Sequence, residues 1–384
     1  MFQSIRLLNF GSHKKRDMHL KNISVLNFKN YKEATLDLHS NVNCFVGNNG
    51  GGKTNLLDAI FYLSFSKSYF NPADSQIIGH EEPFMVIQGD FHRLDQNESI
   101  YCGIKRGQKK QFKRNKKDYT RISDHIGLLP LVMISPSDSS LILDGSDVRR
   151  RFLDLIISQY DRPYLEHVMQ YNKAIAQRNR LLKKFAEIRS FDEDSLAIWD
   201  EQLIHHGQKV YDGRKYFIEN FIPIFQKYYT FIAENNELVH LDYVSQLNDS
   251  NFQEGLLAAR NNDRRANYST VGVHKDDLEF SINGFPIKKF GSQGQQKTYL
   301  LALKLAQAEY IQKIVSIPPI LLLDDIYDKL DDKRVAKLME IVSSNDFGQI
   351  FITDTHEKRL SDIFKELDID CRTFVVKKGT VDVA

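Results

Sequence analysis

The chain of 384 residues carries 52 Lys and Arg against 50 Asp and Glu, and a net charge of +2 excludes a bulk polycation. Any affinity for nucleic acid must then come from local clustering of charge. With 42% hydrophobic and 27% charged residues the composition is that of a globular protein of about two or three structural units, and no apolar run reaches the roughly 18–20 residues of a membrane span.

The first seventeen residues, with the basic run Lys14-Lys15-Arg16, have the composition of a flexible N-terminal extension (1–17). From Met18 the pattern alternates as strands do: Ile23–Phe28, Ala34–Leu38, then Val42–Val46, which ends at a glycine-rich turn. Asn55–Leu63 has helical spacing, so a strand, a glycine loop and a helix follow one another. Phe84–Phe91 and Ile100–Ile104 predict an antiparallel layer. Between Pro163 and Pro223 the apolar residues recur at seven-residue spacing, Val168, Ile175, Leu182 and then Leu196, Leu203, Val210, Phe217, Ile224, which predicts two helices packed as an antiparallel hairpin. About sixty residues allow two helices of about 40 Å each at about 1.5 Å per residue. Asn283-Gly284 predicts a hairpin turn, and after Ser292 helices alternate with buried strands, Ile320–Leu323 leading into two aspartates. The expected architecture is an α/β core (18–135 plus 268–384) split by a helical arm (136–267). The lack of a signal-like start and the three scattered cysteines Cys44, Cys102 and Cys371 point to a cytoplasmic protein without a disulfide framework or membrane partner.

Gly47-Asn48-Asn49-Gly50-Gly51-Gly52-Lys53-Thr54 fits the phosphate-binding pattern G-x-x-x-x-G-K-[ST], between a strand and a helix as that chemistry requires. Backbone N–H groups would cradle the phosphates of ATP, Lys53 would reach the β/γ oxygens and Thr54 would bind Mg²⁺. A second metal ligand is needed, and Asp324 at the end of the apolar strand supplies it, although many strands end in polar loops. Asp325 is then placed to polarise the attacking water, and its shortness relative to glutamate predicts slow hydrolysis, a weak ATPase at most.

Ser292-Gln293-Gly294-Gln295 at the head of a long helix resembles the signature of ABC-type ATPases, in which Ser292, Gly294 and Gln295 would grip the γ-phosphate bound to a second subunit. Ser292 and Gln295 also suit a plain capping box. Asp328-Lys329-Leu330-Asp331 resembles the D-loop, with Asp331 at a dimer interface. Ile134–Asp138, Arg149–Asp154, Tyr171–Lys183 and Gly272–Leu278 are similar to the sequence blocks of the RecF family, SMC-like ATPases of bacterial DNA replication and repair, over about Met18 to the C-terminus. The resemblance implies an ATP-bridged homodimer that binds single- and double-stranded DNA at gaps, works with the recombination mediators of the RecF pathway to load the recombinase, and supports the SOS response. It also implies a switch histidine, for which His356 is offered two or three residues late, and a Q-loop glutamine, for which Gln76 and Gln88 stand equal.

Lys105–Lys117 holds eight basic residues in thirteen and no acid, and Lys109, Lys110, Lys113 and Arg114 are its candidate DNA contacts. Such a cluster neutralises phosphates without reading bases. A lysine-protected hairpin edge would have the same sequence. Arg149-Arg150-Arg151 suits DNA contact or ion pairs between arm and core equally. A nucleotide-binding subunit of an ABC transporter would share the ATP motifs but offers no place for the helical insertion or the basic run, and a small-molecule kinase leaves the signature unexplained.

Overall fold

The computed structural model describes residues 17–233, 237–325, 332–343, 347–355, 364 and 369–384. Asp331, His356 and residues 1–16 of the N-terminal extension lie outside them. In chain order the strands are β1 (Met18–Phe28), β2 (Tyr31–Asp37), β3 (Val42–Val46), β4 (Phe84–Arg93), β5 (Gln96–Lys105), β6 (Gln111–Arg114), β7 (Lys117–Asp118), β8 (Leu131–Ile134), β9 (Val239–Val244), β10 (Asp277–Ile282), β11 (Phe285–Pro286), β12 (Ile320–Leu323), β13 (Ile350–Asp354), β14 (Cys371–Lys377) and β15 (Thr380–Val383). The helices are α1 (Lys53–Phe65), α2 (Ser140–Leu143), α3 (Ser146–Ile157), α4 (Arg162–Ile188), α5 (Glu193–Ala233), α6 (Phe252–Ala266), α7 (Ile287–Phe290), α8 (Gln293–Val315) and α9 (Asp332–Ser343).

The central sheet has the order β15-β14-β3-β13-β12-β8 and is parallel apart from the β14–β15 hairpin. β8 (Leu131–Ile134) and β12 (Ile320–Leu323) are unbroken, fully buried apolar runs because both faces of the sheet are covered there. Along β12 the side chains alternate: Leu321 and Leu323 pack into the core shared with the helices, Ile320 and Leu322 into the core on the other face. That second core holds α1 between the central sheet and an antiparallel sheet of order β2-β1-β4-β5-β6-β7. The Asn283-Gly284 turn joins β10 to β11 with both residues at positive φ (50° and 79°), as a two-residue hairpin requires.

The helices α4 and α5 run antiparallel, with Tyr164 beside Arg214, His167 beside His206 and Arg178 beside Asp200. All five heptad positions of α5, from Leu196 to Ile224, are buried. Pro223 does not end this helix, which continues to Ala233. A proline inside a helix costs about 3 kcal/mol, but the residues that follow it are core: the Phe225 ring packs tilted against Tyr299 of α8, centroids 4.7 Å apart, and Tyr229 and Ile232 are buried. Burying several large side chains at about 1.5–3 kcal/mol each outweighs the lost hydrogen bond.

Candidate nucleotide-binding site

The loop between β3 and α1 has Gly47, Gly50 and Gly52 at φ of 148°, 77° and 120°. Two of these glycines are also packed: a Cβ on Gly47 would stand 2.2 Å from the carbonyl oxygen of Val376, and one on Gly52 would stand 2.7 Å from the Tyr31 hydroxyl. The loop is gripped from behind. Asn30 donates from Nδ2 to the Gly51 carbonyl (3.1 Å), the Tyr31 hydroxyl donates to the Gly52 carbonyl (3.0 Å), and the N–H of Gly379, in the turn between β14 and β15, donates to the Gly51 carbonyl (3.0 Å). Lys53 is buried and its ammonium donates to the carbonyls of Gly47 (2.6 Å) and Asn48 (3.2 Å), so its charge is held over the loop.

Thr54 and Asp324 meet although 270 residues apart: the Thr54 hydroxyl donates to Oδ1 at 2.9 Å and lies 3.2 Å from Oδ2. β12 delivers Asp324 to this point, and its N–H donates to the Ile134 carbonyl of β8. The Thr353 hydroxyl, from the end of β13, donates to Asp324 Oδ1 at 2.9 Å and accepts from the N–H of Asp325 at 2.8 Å. Burial raises the Asp324 pKa above its ordinary value, and so does the neighbouring Asp325 charge, while the Thr54 and Thr353 hydroxyls and the Lys53 charge oppose the shift. A buried carboxylate and a hydroxyl in contact are hard oxygen donors, the set that suits Mg²⁺. Asn49, Gly50, Gly52, Lys53, Thr54, Asn55, Asp325 and Thr353 line one cleft of about 170 Å³. Asp325, at a φ of 49°, faces the loop across it. Thr353 was not singled out from the sequence; its signal was its place at the end of a third apolar strand, Ile350–Asp354, beside that of Asp324.

Ser292 caps α8, its hydroxyl accepting the Gln295 N–H (3.2 Å) while Gln295 Oε1 accepts the Ser292 N–H (2.7 Å), so the capping box is present. Gln295 also donates from Nε2 to Glu237, and Gly294 sits against Arg334 of α9, whose Nε donates to the Thr298 hydroxyl. Neither Gln76, in an exposed turn, nor Gln88, within β4, is among the residues lining the cleft.

The basic stretch forms the β5–β6–β7 edge of the antiparallel sheet. Lys110 is turned inward, donating to the Ser66 carbonyl (2.5 Å) and the Tyr62 hydroxyl (3.1 Å) and pairing with Asp74 (3.1 Å). Arg114 pairs through two nitrogens with Glu98, which is only 2% exposed. Lys113 lies 3.9 Å from Asp118, and Lys109 is exposed. Arg149 pairs with Asp277 through two bonds of 2.6 and 2.9 Å and Arg150 donates to the Asp276 carbonyl, so these two arginines join α3 to the segment entering β10.

A phosphate loop, an aspartate brought to its threonine by a neighbouring parallel strand, and a capped helix after a long helical insertion define the class of SMC-type ATPase heads. The family model described as RecF/RecN/SMC N terminal domain matches residues 19–380. The chain belongs to the RecF family. It is 51% identical over 366 residues to the DNA replication and repair protein RecF of Bacteroides thetaiotaomicron, covering 95% of this chain and 98% of that one. It is likewise 51% identical over 348 residues to the RecF of Flavobacterium johnsoniae, with 91% and 97% covered. Among solved structures it superposes on the recombination mediator protein RecF with ATP, of the RecFOR pathway, with a TM-score of 0.87 at 30% identity over 97% of this chain and all of that one. The Smc head domain of Pyrococcus furiosus shares the fold, with a TM-score of 0.56 at 16% identity and 96% of each chain covered. Among the described residues no helix is long and apolar enough to cross a membrane.

Proposed function

We propose that the chain is an ATP-dependent DNA-binding protein of recombinational repair. ATP sits with its phosphates on Gly47–Thr54, Lys53 neutralises the β/γ oxygens, and Thr54 and Asp324 hold Mg²⁺, which supplies charge screening for the phosphates. Asp325 polarises the attacking water. In a homodimer formed on ATP, Ser292, Gly294 and Gln295 of the second copy complete the γ-phosphate site, with Asp331 and His356 in the interface and switch roles. The protein binds single- and double-stranded DNA at gaps, hydrolyses ATP slowly, acts in the cytoplasm with the mediators of the RecF pathway in recombinase loading, and supports the SOS response.

The observation that carries this reading is the convergence of Thr54, Asp324 and Thr353 under the Lys53 loop. The solved RecF relative is a recombination mediator with ATP bound, and its likeness over nearly the whole chain supports both the ligand and the pathway. A transporter subunit is disfavoured by the family. Sedimentation with Mg²⁺, ATP and gapped DNA tests the reading. The wild type is expected to shift from monomer to dimer on ATP and to co-sediment with DNA, and Asp324→Asn to stay monomeric. A wild type that stays monomeric with ATP, or an Asp324→Asn chain that dimerises as well, would sink the sandwich.

A further inference from the structure

Outside the nucleotide cleft, α4 and α5 bring three of the chain's twelve histidines together: His167 from α4, and His205 and His206 from α5. One nitrogen from each ring lies within 4.8 Å of the other two. The ring centroids are 5.8 Å (His167–His205), 5.2 Å (His167–His206) and 4.8 Å (His205–His206) apart. We propose that His167, His205 and His206 form a binding site for a divalent transition-metal cation of the zinc type, which clamps the two helices of the arm.

The closest pair of nitrogens supports the fit. Nδ1 of His167 and Nδ1 of His206 are 2.9 Å apart, so in the metal-free protein one ring must donate a proton to the other's lone pair. Two imidazoles on a tetrahedral zinc, at Zn–N of about 2.0–2.1 Å, have their nitrogens about 3.3 Å apart. A small opening of the pair replaces the shared proton by the cation, and a rotation of His205 brings in the third nitrogen. His205 is exposed and the other two are half-buried, which leaves an entry path and a coordination position for water. Burial lowers the pKa of His167 and of His206, and their proximity to His205 acts in the same direction, so both rings keep neutral lone pairs near neutral pH. Lys209 of α5 opposes a cation at His167, and Asp161 and Glu166, from its own chain segment, favour one. The donor set is all nitrogen, whereas the Thr54–Asp324 site is all oxygen, so the two sites select different metals.

The test is titration of untagged, chelator-stripped protein with Co²⁺ and then Zn²⁺, in excess Mg²⁺ to fill the oxygen site, following Co²⁺ visible absorption and the thermal midpoint. One Co²⁺ per chain with the spectrum of a nitrogen-ligated low-coordinate site is expected, displaced by Zn²⁺, with a Kd of about 10 µM or tighter. Losing a hydrogen-bond partner behind a ligand already weakens metal sites about 10–100-fold, so losing a ligand itself, in His167→Gln or His206→Gln, is expected to weaken binding by about 100-fold or more. Replacing the exposed His205, as His205→Gln, leaves the metal-free midpoint unchanged and removes the Zn²⁺-dependent rise. No Co²⁺ spectrum in the wild type, or undiminished one-to-one binding in His205→Gln and in the triple glutamine variant, overturns the site.

Discussion

Two glycines of the same loop give a contrast that single residues can decide. Gly47 and Gly50 both lie at positive φ, 148° and 77°. A Cβ on Gly50 meets nothing within 4 Å, so Gly50→Ala pays only the left-handed backbone cost of about 1–2 kcal/mol. A Cβ on Gly47 would lie 2.2 Å from Val376 O, a backbone atom of a central strand that has no rotamer to change. Gly47→Ala is therefore expected to cost about 3–5 kcal/mol, the range of severe core disruption, and to abolish nucleotide binding. Urea unfolding without nucleotide measures the difference; equal midpoints for the two variants would show that Val376 does not brace the loop. The motif itself was legible in the sequence, because strand, loop and helix are contiguous. The brace was not, since Val376 and Gly379 reach the loop from more than three hundred residues away, and nothing in a C-terminal hairpin marks it as the back wall of a phosphate site.

Between elements, buried charge does what hydrophobic periodicity cannot. Arg178 of α4 is fully buried and donates to Asp200 of α5 (2.5 Å), to Asp263 of α6 (2.6 Å) and to Ser269 (2.8 Å), joining three helices through one guanidinium. Removing the guanidinium leaves the Asp263 carboxylate, fully buried and held then by Thr270 alone, without its cation, so Arg178→Ala is expected to cost about 3–5 kcal/mol. Adding Asp263→Asn to Arg178→Ala should recover part of the loss in denaturant unfolding; strictly additive losses would mean that the groups do not act together. Heptad spacing foretold that α4 and α5 pack, since it needs only local periodicity. It could not foretell this junction, whose members are 22 to 91 residues apart, nor that α5 passes through Pro223 to reach α8. The α5–α8 contact has its own signature. Burial pushes the Glu309 carboxyl up, but hydrogen bonds from Lys227 of α5, Lys313 and Tyr228 outweigh it and hold its pKa at about 2, below the ordinary 4.5. A depressed carboxylate pKa gives stability that is full above 4.5 and is lost as pH falls towards 2. Because Lys227 is 65% exposed, Glu309→Gln is expected to cost only about 0.5–1 kcal/mol at pH 7, with the gap to wild type closing through that window in acid unfolding curves. A gap independent of pH would refute the linkage.

For the whole molecule, the near balance of charge conceals how the basic edge is divided. Of its eight cationic residues, Lys110 and Arg114 are paired with Asp74 and Glu98, and Arg106 donates to the carbonyls of Glu82, Ser75 and Gly79, so these three build the sheet edge. Lys113 lies 3.9 Å from Asp118, and the remaining four, Lys105, Lys109, Lys116 and Lys117, are exposed at the same edge. The two readings that the sequence left open, phosphate contact and protected hairpin edge, thus fall on different residues. Each phosphate contact on duplex DNA contributes about 0.9 to the slope of log affinity against log salt. If the proposed DNA contact lies here, replacing the four exposed lysines by alanine should lower that slope by up to about 3–4 while moving stability by less than about 1 kcal/mol. Arg114→Ala should do the reverse: it leaves Glu98, at 2% exposure, with the Asn115 amide but without its cation, costing about 1–3 kcal/mol, with little change in slope. Fluorescence anisotropy on one duplex across a salt series, beside urea unfolding of the same preparations, reads both quantities. An unchanged slope in the four-lysine variant would move the DNA contact off this edge.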